Sequence, residues 1–86
     1  MYEIVLESRA KRELDRVPKE PYARIDAAIW SLRGNPRPHG VQKLSGDLYR
    51  IRSGDWRILF TIQDATFRVV VLRVVRRSES TYKHLS

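Results

Sequence analysis

The chain has 86 residues, 42% of them hydrophobic, which is enough for one globular domain over residues 1–86 and leaves no room for a second core. Its formal net charge of +7 suggests nucleic acid, an acidic protein or an anionic membrane surface as partner, with a purely solubilising charge as the alternative. The absence of cysteine excludes disulfides and thiolate metal sites, and no apolar run approaches the roughly 20 residues of a membrane span. We therefore expect a cytoplasmic protein without a signal peptide or membrane segment.

The first predicted elements are a short strand and two helices. Residues 2–7 are typical of a strand, and Ser8 lies where a helix N-cap belongs. The helix that follows has a narrow apolar stripe at i, i+4 and i+7, namely Ala10, Leu14 and Val17. A second helix carries a wider apolar face, namely Tyr22, Ile25, Ala28, Ile29 and Leu32. Two helices joined by a few residues pack as an antiparallel pair, and their apolar faces require a sheet to cover.

Residues 48–62 predict a β-hairpin, with residues 41–47 leading into it and a turn at residues 53–55. One face of this hairpin is apolar and consists of Tyr49, Ile51, Trp56, Ile58, Phe60 and Ile62. If these side chains match across the two strands, then Arg50, Arg52 and Arg57 must share the opposite face. Three guanidinium groups on a rigid sheet are suited to binding phosphate.

Residues 67–75 predict the last strand, and valine on both of its faces indicates a central position in the sheet. Alternation puts Arg73 and Arg77 on one side, which we assign to the face of the hairpin arginines. Residues 78–85 form either a short helix or a loosely held end. The predicted fold is therefore α+β, in the order β-α-α-β-β-β(-α), with a helical hairpin on one face of an antiparallel-rich sheet.

Several kinds of chemistry are poorly supported by the residue pattern. His39 and His84 stand alone, and the neighbouring Glu13 and Asp15 are assigned to solvated helix faces, so no metal-ligand spacing is present. Neither a P-loop, a dinucleotide fingerprint nor a nucleophilic serine elbow occurs. Arginine, lysine and tyrosine acting on an anion remain, and these favour RNA cleavage through the 2′-hydroxyl, which needs only charge neutralisation and proton movement.

The order of several short segments resembles a known family. These segments are residues 35–38, 43–46, 48–52, 54–58 and 74–77, followed by Tyr82. Together they resemble the RelE/ParE superfamily of bacterial and archaeal toxin–antitoxin toxins, and they are more similar to RelE than to ParE. The resemblance covers essentially the whole chain and implies a RelE-like fold.

The resemblance also implies an activity and partners. RelE toxins are mRNA interferases that cut the codon exposed in the ribosomal A site. By this resemblance the chain is the toxin of a type II toxin–antitoxin system and a ribosome-dependent endoribonuclease. Attack by the 2′-hydroxyl would give a 2′,3′-cyclic phosphate and a 5′-hydroxyl, with no metal and no cofactor. The implied partners are a RelB-like antitoxin and the ribosome with its mRNA and rRNA, and no membrane is involved.

Site residues carry over position by position. The resemblance implies that Arg57 and Arg77 stabilise the phosphate, with Arg76 as the competing register for Arg77. Arg50 and Arg52 would position the backbone, and Tyr82 would stack on a base or help to deprotonate the 2′-hydroxyl. Well-studied members carry lysine at the two first-strand positions, and arginine is a poor general base, which makes Tyr82 the better candidate. Further RNA contacts are assigned to four residues, namely Arg73, Arg76, Lys43 and Arg37.

Three alternatives stay open at this point. Arg57 could be an exposed strand arginine that forms a cross-strand pair, for example with Asp47. The chain could be a ParE-like toxin that inhibits DNA gyrase by binding. It could also be a basic RNA-binding module in which a nuclease site has decayed.

Overall fold

The computed structural model describes residues 1–77. Tyr82 and the rest of the predicted C-terminal helix therefore lie outside the described residues. The elements in chain order are β1 (Glu3–Leu6), α1 (Ser8–Asp15), α2 (Lys19–Ser31), β2 (Gln42–Ser45), β3 (Leu48–Ser53), β4 (Trp56–Gln63), a short 3-10 helix (Asp64–Thr66) and β5 (Arg68–Arg76). Within this part of the chain, no helix is both long enough and apolar enough to cross a membrane.

The five strands form one mixed sheet in the order β1-β5-β4-β3-β2. β1 pairs with β5 in parallel, and the other three pairings are antiparallel. The predicted α+β fold is confirmed, and β5 lies between β1 and β4, with β1 covering only its first half. β2 is one strand more than the sequence predicted, because residues 42–45 were read as a lead-in to the hairpin. All four of its residues are exposed, so β2 lacks the apolar alternation that makes a strand recognisable.

The two helices cover one face of the sheet, and the core lies between the helices and the sheet. α1 begins at Ser8 itself, with Glu7 as its N-cap and no side-chain capping bond, so the predicted cap is displaced by one residue. The helices contribute four buried core residues, Ala10, Leu14, Ile25 and Ile29, and the residues just beyond their C-terminal ends contribute two more, Val17 and Leu32. The sheet contributes seven: Tyr49, Ile58, Phe60, Ile62, Val69, Val71 and Val74. The two predicted helical stripes are thus the surfaces that bury the apolar face of the sheet.

The register of the β3–β4 hairpin confirms the predicted faces. The apolar face pairs Tyr49 with Phe60 and Ile51 with Ile58. On the opposite face Arg52 lies across from Arg57, and Arg50 lies across from Leu59. Gly54 has a φ of 59°, which is the backbone region that a tight hairpin turn requires and that side chains disfavour. The turn therefore fixes the register, and the register gathers the arginines on one face.

A network around Asp64 closes the other end of the sheet. The Arg37 guanidinium donates to both Asp64 carboxylate oxygens at 3.2 and 2.8 Å, and the Tyr2 hydroxyl donates to Oδ1 at 2.7 Å. Arg37 Nε also donates to the Tyr49 hydroxyl at 3.3 Å. These bonds, first from Arg37 and then from Tyr2, lower the pKa of Asp64 to about 2. Arg37, predicted as an RNA contact, is thus engaged in joining the loop after α2 to β3 and the 3-10 helix.

Candidate functional site

Four of the predicted catalytic residues lie together on the face of the sheet opposite the helices. This arginine face consists of Arg50, Arg52, Arg57 and Arg77. Arg52 and Arg57 are directly opposed across the hairpin, and Arg50 donates to the side-chain oxygen of Gln42 on β2. The backbone N–H of Arg77 donates to the carbonyl of Asp55 at 2.7 Å, which continues the β4–β5 pairing past the end of β5. The β3–β4 hairpin therefore brings three of these arginines to one site, and the pairing of β4 with β5 adds Arg77.

Arg57 is the buried centre of this face, with only 3% of its surface exposed. It lies opposite Val75 on β5, which is 2% exposed and lies outside the core beneath the helices. Arg57 Nη1 donates to two backbone carbonyls of the hairpin turn, those of Trp56 at 3.1 Å and Gly54 at 3.3 Å. Its Nε is buried and has no hydrogen-bond partner within residues 1–77. The turn thus orients the guanidinium and leaves one of its donors unsatisfied within residues 1–77.

The electrostatics of the arginine face favour an anion. Burial lowers the pKa of Arg57, and the positive charges of Arg52, Arg50 and Arg77 lower it further, against a smaller opposing effect of Asp55. Burial and the charge of Arg52 also lower the pKa of Arg50. Neither Arg52 nor Arg57 forms an ion pair with a carboxylate of residues 1–77. A phosphate or a pentacovalent phosphorane would relieve this repulsion and bind to the unpartnered donor.

Arg73 and Arg76 are not part of this cluster, although Arg73 was predicted to be. Arg73 lies opposite Leu59 in the register, but its guanidinium binds the Glu13 carboxylate of α1 through Nε at 2.9 Å and Nη2 at 2.8 Å. Arg76 lies opposite Trp56, and its guanidinium carbon is 5.7 Å from the centre of that ring. Of the two competing registers, the structure therefore brings Arg77 and not Arg76 to Arg57.

Lys43 and Asp47 also lie away from the arginine face. Lys43 is opposite Tyr49, so its side chain leaves the sheet on the apolar side of the hairpin. Asp47 accepts a backbone bond from Ile62, at the end of the hairpin remote from the turn, and forms no ion pair with Arg57. The cross-strand pair considered for Arg57 is thus not formed within residues 1–77. RNA-binding roles for Lys43, Arg37, Arg73 and Arg76 stay predictions.

The comparisons with known proteins agree with this geometry. The model of the family described as ParE toxin of type II toxin–antitoxin system, parDE, matches residues 4–81. The chain belongs to this toxin family. Toxin RelE of Mycobacterium tuberculosis is 31% identical over 83 residues, which cover 92% of this chain and 84% of the relative. The predicted membership of the RelE/ParE superfamily is confirmed, and this toxin is RelE-like.

Solved structures support the same fold. The RelE chain of the archaeal RelE–RelB complex from Pyrococcus horikoshii OT3 superimposes with a TM-score of 0.83 at 27% identity, covering 92% of this toxin and 98% of that chain. The isolated E. coli RelE toxin superimposes with a TM-score of 0.79 at 21% identity, covering 99% of this toxin and 95% of that chain. At that identity the likeness shows the fold alone. Two helices on a mixed five-stranded sheet are thus the architecture shared with these toxins.

Two residues of the toxin's site region were missed by the sequence reasoning. Glu13 was assigned to a solvated helix face, yet it is partly buried and binds both Arg73 and the backbone N–H of Val74, the latter at 2.8 Å. Its signal was its position three residues after Ala10, at the margin of the apolar stripe. Gln42, the partner of Arg50, carried no signal because β2 itself was not recognised. Residues 1–77 contain no group of three or more His, Cys, Asp and Glu side chains placed to hold a metal ion.

Proposed function

We propose that this toxin is a ribosome-dependent endoribonuclease that cleaves mRNA in the A site. The observation that carries the proposal is Arg57, a buried arginine with an unpartnered Nε among three further arginines. A buried, oriented and like-charged guanidinium is costly to the fold, because its charge is removed from water without a compensating carboxylate. Such a group is preorganised for an anion whose charge increases during a reaction, as the charge on a scissile phosphate does.

The proposed reaction is an internal transfer at phosphorus. The 2′-oxygen of the RNA forms a bond to phosphorus as its proton leaves, and the bond from phosphorus to the 5′-oxygen breaks. The products are a 2′,3′-cyclic phosphate and a 5′-hydroxyl, whose oxygen takes up a proton. Arg57 and Arg77 would hold the phosphoryl oxygens while charge accumulates on them, and Arg50 and Arg52 would fix the adjoining backbone.

Proton transfer requires a residue other than the four arginines. All four members of the arginine face carry their protons firmly at neutral pH, so none of them is a good base. Tyr82 is our candidate for orienting or deprotonating the 2′-hydroxyl, and it lies outside the residues that the structure describes. We assign most of the rate enhancement to in-line orientation of the 2′-oxygen, which the ribosome would provide by holding the codon. An mRNA substrate places this activity in the cytoplasm.

We further propose a RelB-like antitoxin as the partner of the toxin. The Pyrococcus horikoshii relative was solved as a RelE–RelB complex. An antitoxin segment that is acidic or amphipathic and folds on binding would neutralise the arginine face, where Arg52 and Arg57 have no carboxylate partner within residues 1–77. Covering Arg57 in this way would block phosphate binding without any change in the sheet.

The test is primer extension on a defined message translated by ribosomes with purified toxin. We expect cleavage by the wild type, loss of cleavage with Arg57→Ala and retained ribosome binding, because one guanidinium among many contacts is removed. Arg50→Lys should retain or increase cleavage, because lysine keeps the charge and gives up a proton more readily. Arg24→Ala is the matched control, since Arg24 is an exposed arginine of α2 on the helical side. Cleavage by Arg57→Ala at the wild-type rate would refute the site.

The matched family is described as ParE toxin, which keeps open a second candidate, a ParE-like toxin. We propose inhibition of DNA gyrase by binding as the activity of that candidate. Such a toxin does not require the arginines to act on a phosphate. Purified toxin added to a gyrase supercoiling reaction separates the two activities. Loss of supercoiling together with an intact message would replace the ribonuclease proposal, whereas message cleavage with normal supercoiling would support it.

A further inference from the structure

The pairing of β4 with β5 contains a β-bulge that decides which residues reach the arginine face. Before the bulge, Val71 lies opposite Phe60. After it, Arg73 lies opposite Leu59 and Val75 opposite Arg57, so Leu72 is the extra residue. An extra residue reverses the alternation of every side chain that follows it. The bulge is therefore what puts Val75 and Arg77 on the face of Arg57.

A regular strand would give a different site. If Leu72 paired with Leu59, each later residue of β5 would move by one position, and Val74 would lie opposite Arg57. Arg76 would then follow on the arginine face, and Arg77 would face the side of Trp56. This shift would also bring Arg73 opposite Ile58, which belongs to the core. The choice between Arg77 and Arg76 is thus a choice between two registers.

Glu13 of α1 binds the bulged segment at the edge of the sheet. β1 ends at Leu6, opposite Val71, so beyond this point no strand within residues 1–77 pairs with β5 on that side. Glu13 Oε1 accepts the backbone N–H of Val74 at 2.8 Å, and the Arg73 guanidinium donates to the same carboxylate. The side chain of Glu13 is only 23% exposed, and that of Arg73 only 12%. One carboxylate therefore accepts from a free edge amide and pairs with Arg73, whose charge would lie opposite the core residue Ile58 in a strand without the bulge.

We propose that Glu13 is a positioning residue that holds the β5 bulge and thereby selects Arg77 for the arginine face. The effect of Glu13 on cleavage depends on the proposed ribonuclease function, whereas the effect of Glu13 on the register of β5 does not. Glu13 belongs to α1, on the face of the sheet opposite the arginine face. It acts through the backbone of Val74 and the side chain of Arg73.

The register is tested by NMR on Glu13→Ala, with Asp15→Ala as the control from the same helix. We expect the Val74 amide to be protected from hydrogen exchange in the wild type and in Asp15→Ala, and at least about ten-fold less protected in Glu13→Ala. Cross-strand contacts between Val75 and Arg57 should weaken in parallel. Unchanged exchange at Val74 and unchanged contacts in a folded Glu13→Ala protein would overturn the proposal, whether or not the toxin is a nuclease.

The catalytic consequence is tested by combining substitutions. In the wild type Arg77→Ala should lower cleavage about 100-fold, and Glu13→Ala alone about ten-fold, because a small misplacement of a catalytic group is costly. In the Glu13→Ala background, Arg77→Ala should cost less than about ten-fold, since Arg77 has already lost its position. A purely structural role for Glu13 would instead leave the full 100-fold effect of Arg77→Ala, which would overturn the proposal.

Deletion of Leu72 provides the rescue and guards against a variant that fails to fold. Without Leu72, the pairings of Val71 with Phe60 and of Val75 with Arg57 are both kept by a regular strand. Because the deletion variant has no bulge for Glu13 to hold, Glu13→Ala in that background should change cleavage less than two-fold relative to the deletion alone. A ten-fold loss in that background would show that Glu13 acts by another route and would overturn the proposal.

Discussion

Replacing Arg57 by methionine should make the toxin more stable while it abolishes cleavage. Methionine is unbranched and fills a similar space, so the packing against Val75 is largely kept. The substitution removes a positive charge that is 3% exposed, that has an unpartnered Nε and that is repelled by three arginines. These are the features that make a buried charge a burden on the folded state when its ligand is absent.

The size of the effect follows from the contacts of the guanidinium. An unsatisfied buried donor costs about 1–3 kcal/mol, and desolvating the charge adds to this, whereas the two carbonyl bonds of Nη1 return about 1–2 kcal/mol. We expect Arg57→Met to raise the free energy of unfolding by about 1–3 kcal/mol. Because burial lowers the pKa of this arginine below its ordinary value, the penalty is present throughout the neutral and acid range and is relieved only in strong alkali.

Urea unfolding of both proteins in a chloride buffer measures this difference. Arg52→Met is the matched control: Arg52 is an exposed arginine of the same face, so its replacement should change stability by less than about 0.5 kcal/mol. Sulfate at equal ionic strength should stabilise the wild type more than Arg57→Met, since only the wild type offers the oriented donor. A less stable Arg57→Met protein in chloride, or an equal response of both proteins to sulfate, would refute the reasoning.

Three further predictions follow from particular contacts. Asp64→Asn should lower the melting temperature at neutral pH; because the pKa of Asp64 is depressed to about 2, the difference should persist down to about pH 5 and vanish between about pH 4 and pH 2. Gly54→Ala should cost about 1 kcal/mol in urea unfolding, while Gly54→Asn should cost less, because the strain lies in the positive φ and not in lack of space. Arg52→Ala should reduce the salt dependence of ribosome binding by about one phosphate contact, a change of about 0.7–0.9 in the logarithmic slope.

The sequence could predict the faces of the hairpin because alternation is a local property. Alternation along each strand is enough to match Tyr49 and Ile51 with Phe60 and Ile58 on the apolar face. The arginines, at the alternate positions, must then share the other face. β2 could not be predicted in the same way, since its four residues are exposed and pair only at the sheet edge. A strand that buries nothing leaves no pattern in the chain.

The last strand shows where alternation fails. A regular count put Arg73, Val75 and Arg77 on one side, and two of these reached the expected face. Arg73 has the register of that side, opposite Leu59, but its guanidinium binds the carboxylate of Glu13 instead. Regular alternation fails at the bulge itself, because Val71 lies in the core and Val75 does not. The bond between Glu13 and Arg73 joins residues 60 positions apart, so no local rule connects them. The position of the bulge depends on such a distant partner, so the sequence of β5 alone does not predict it.

The composition of the arginine face bears on why the proposed nuclease would need the ribosome. A site with a strong base of its own could cut free RNA, whereas a tyrosine such as Tyr82 is a poor proton acceptor at neutral pH. Four arginines can neutralise the phosphate and bind it, but they leave the proton of the 2′-hydroxyl without a strong acceptor. Cleavage then depends on how well the 2′-oxygen is aligned, and a flexible single strand is poorly aligned on its own. Under the proposed function, charge supplied by the toxin and geometry supplied by the ribosome are both required, and this division makes the arginine face inactive until a codon is held against it.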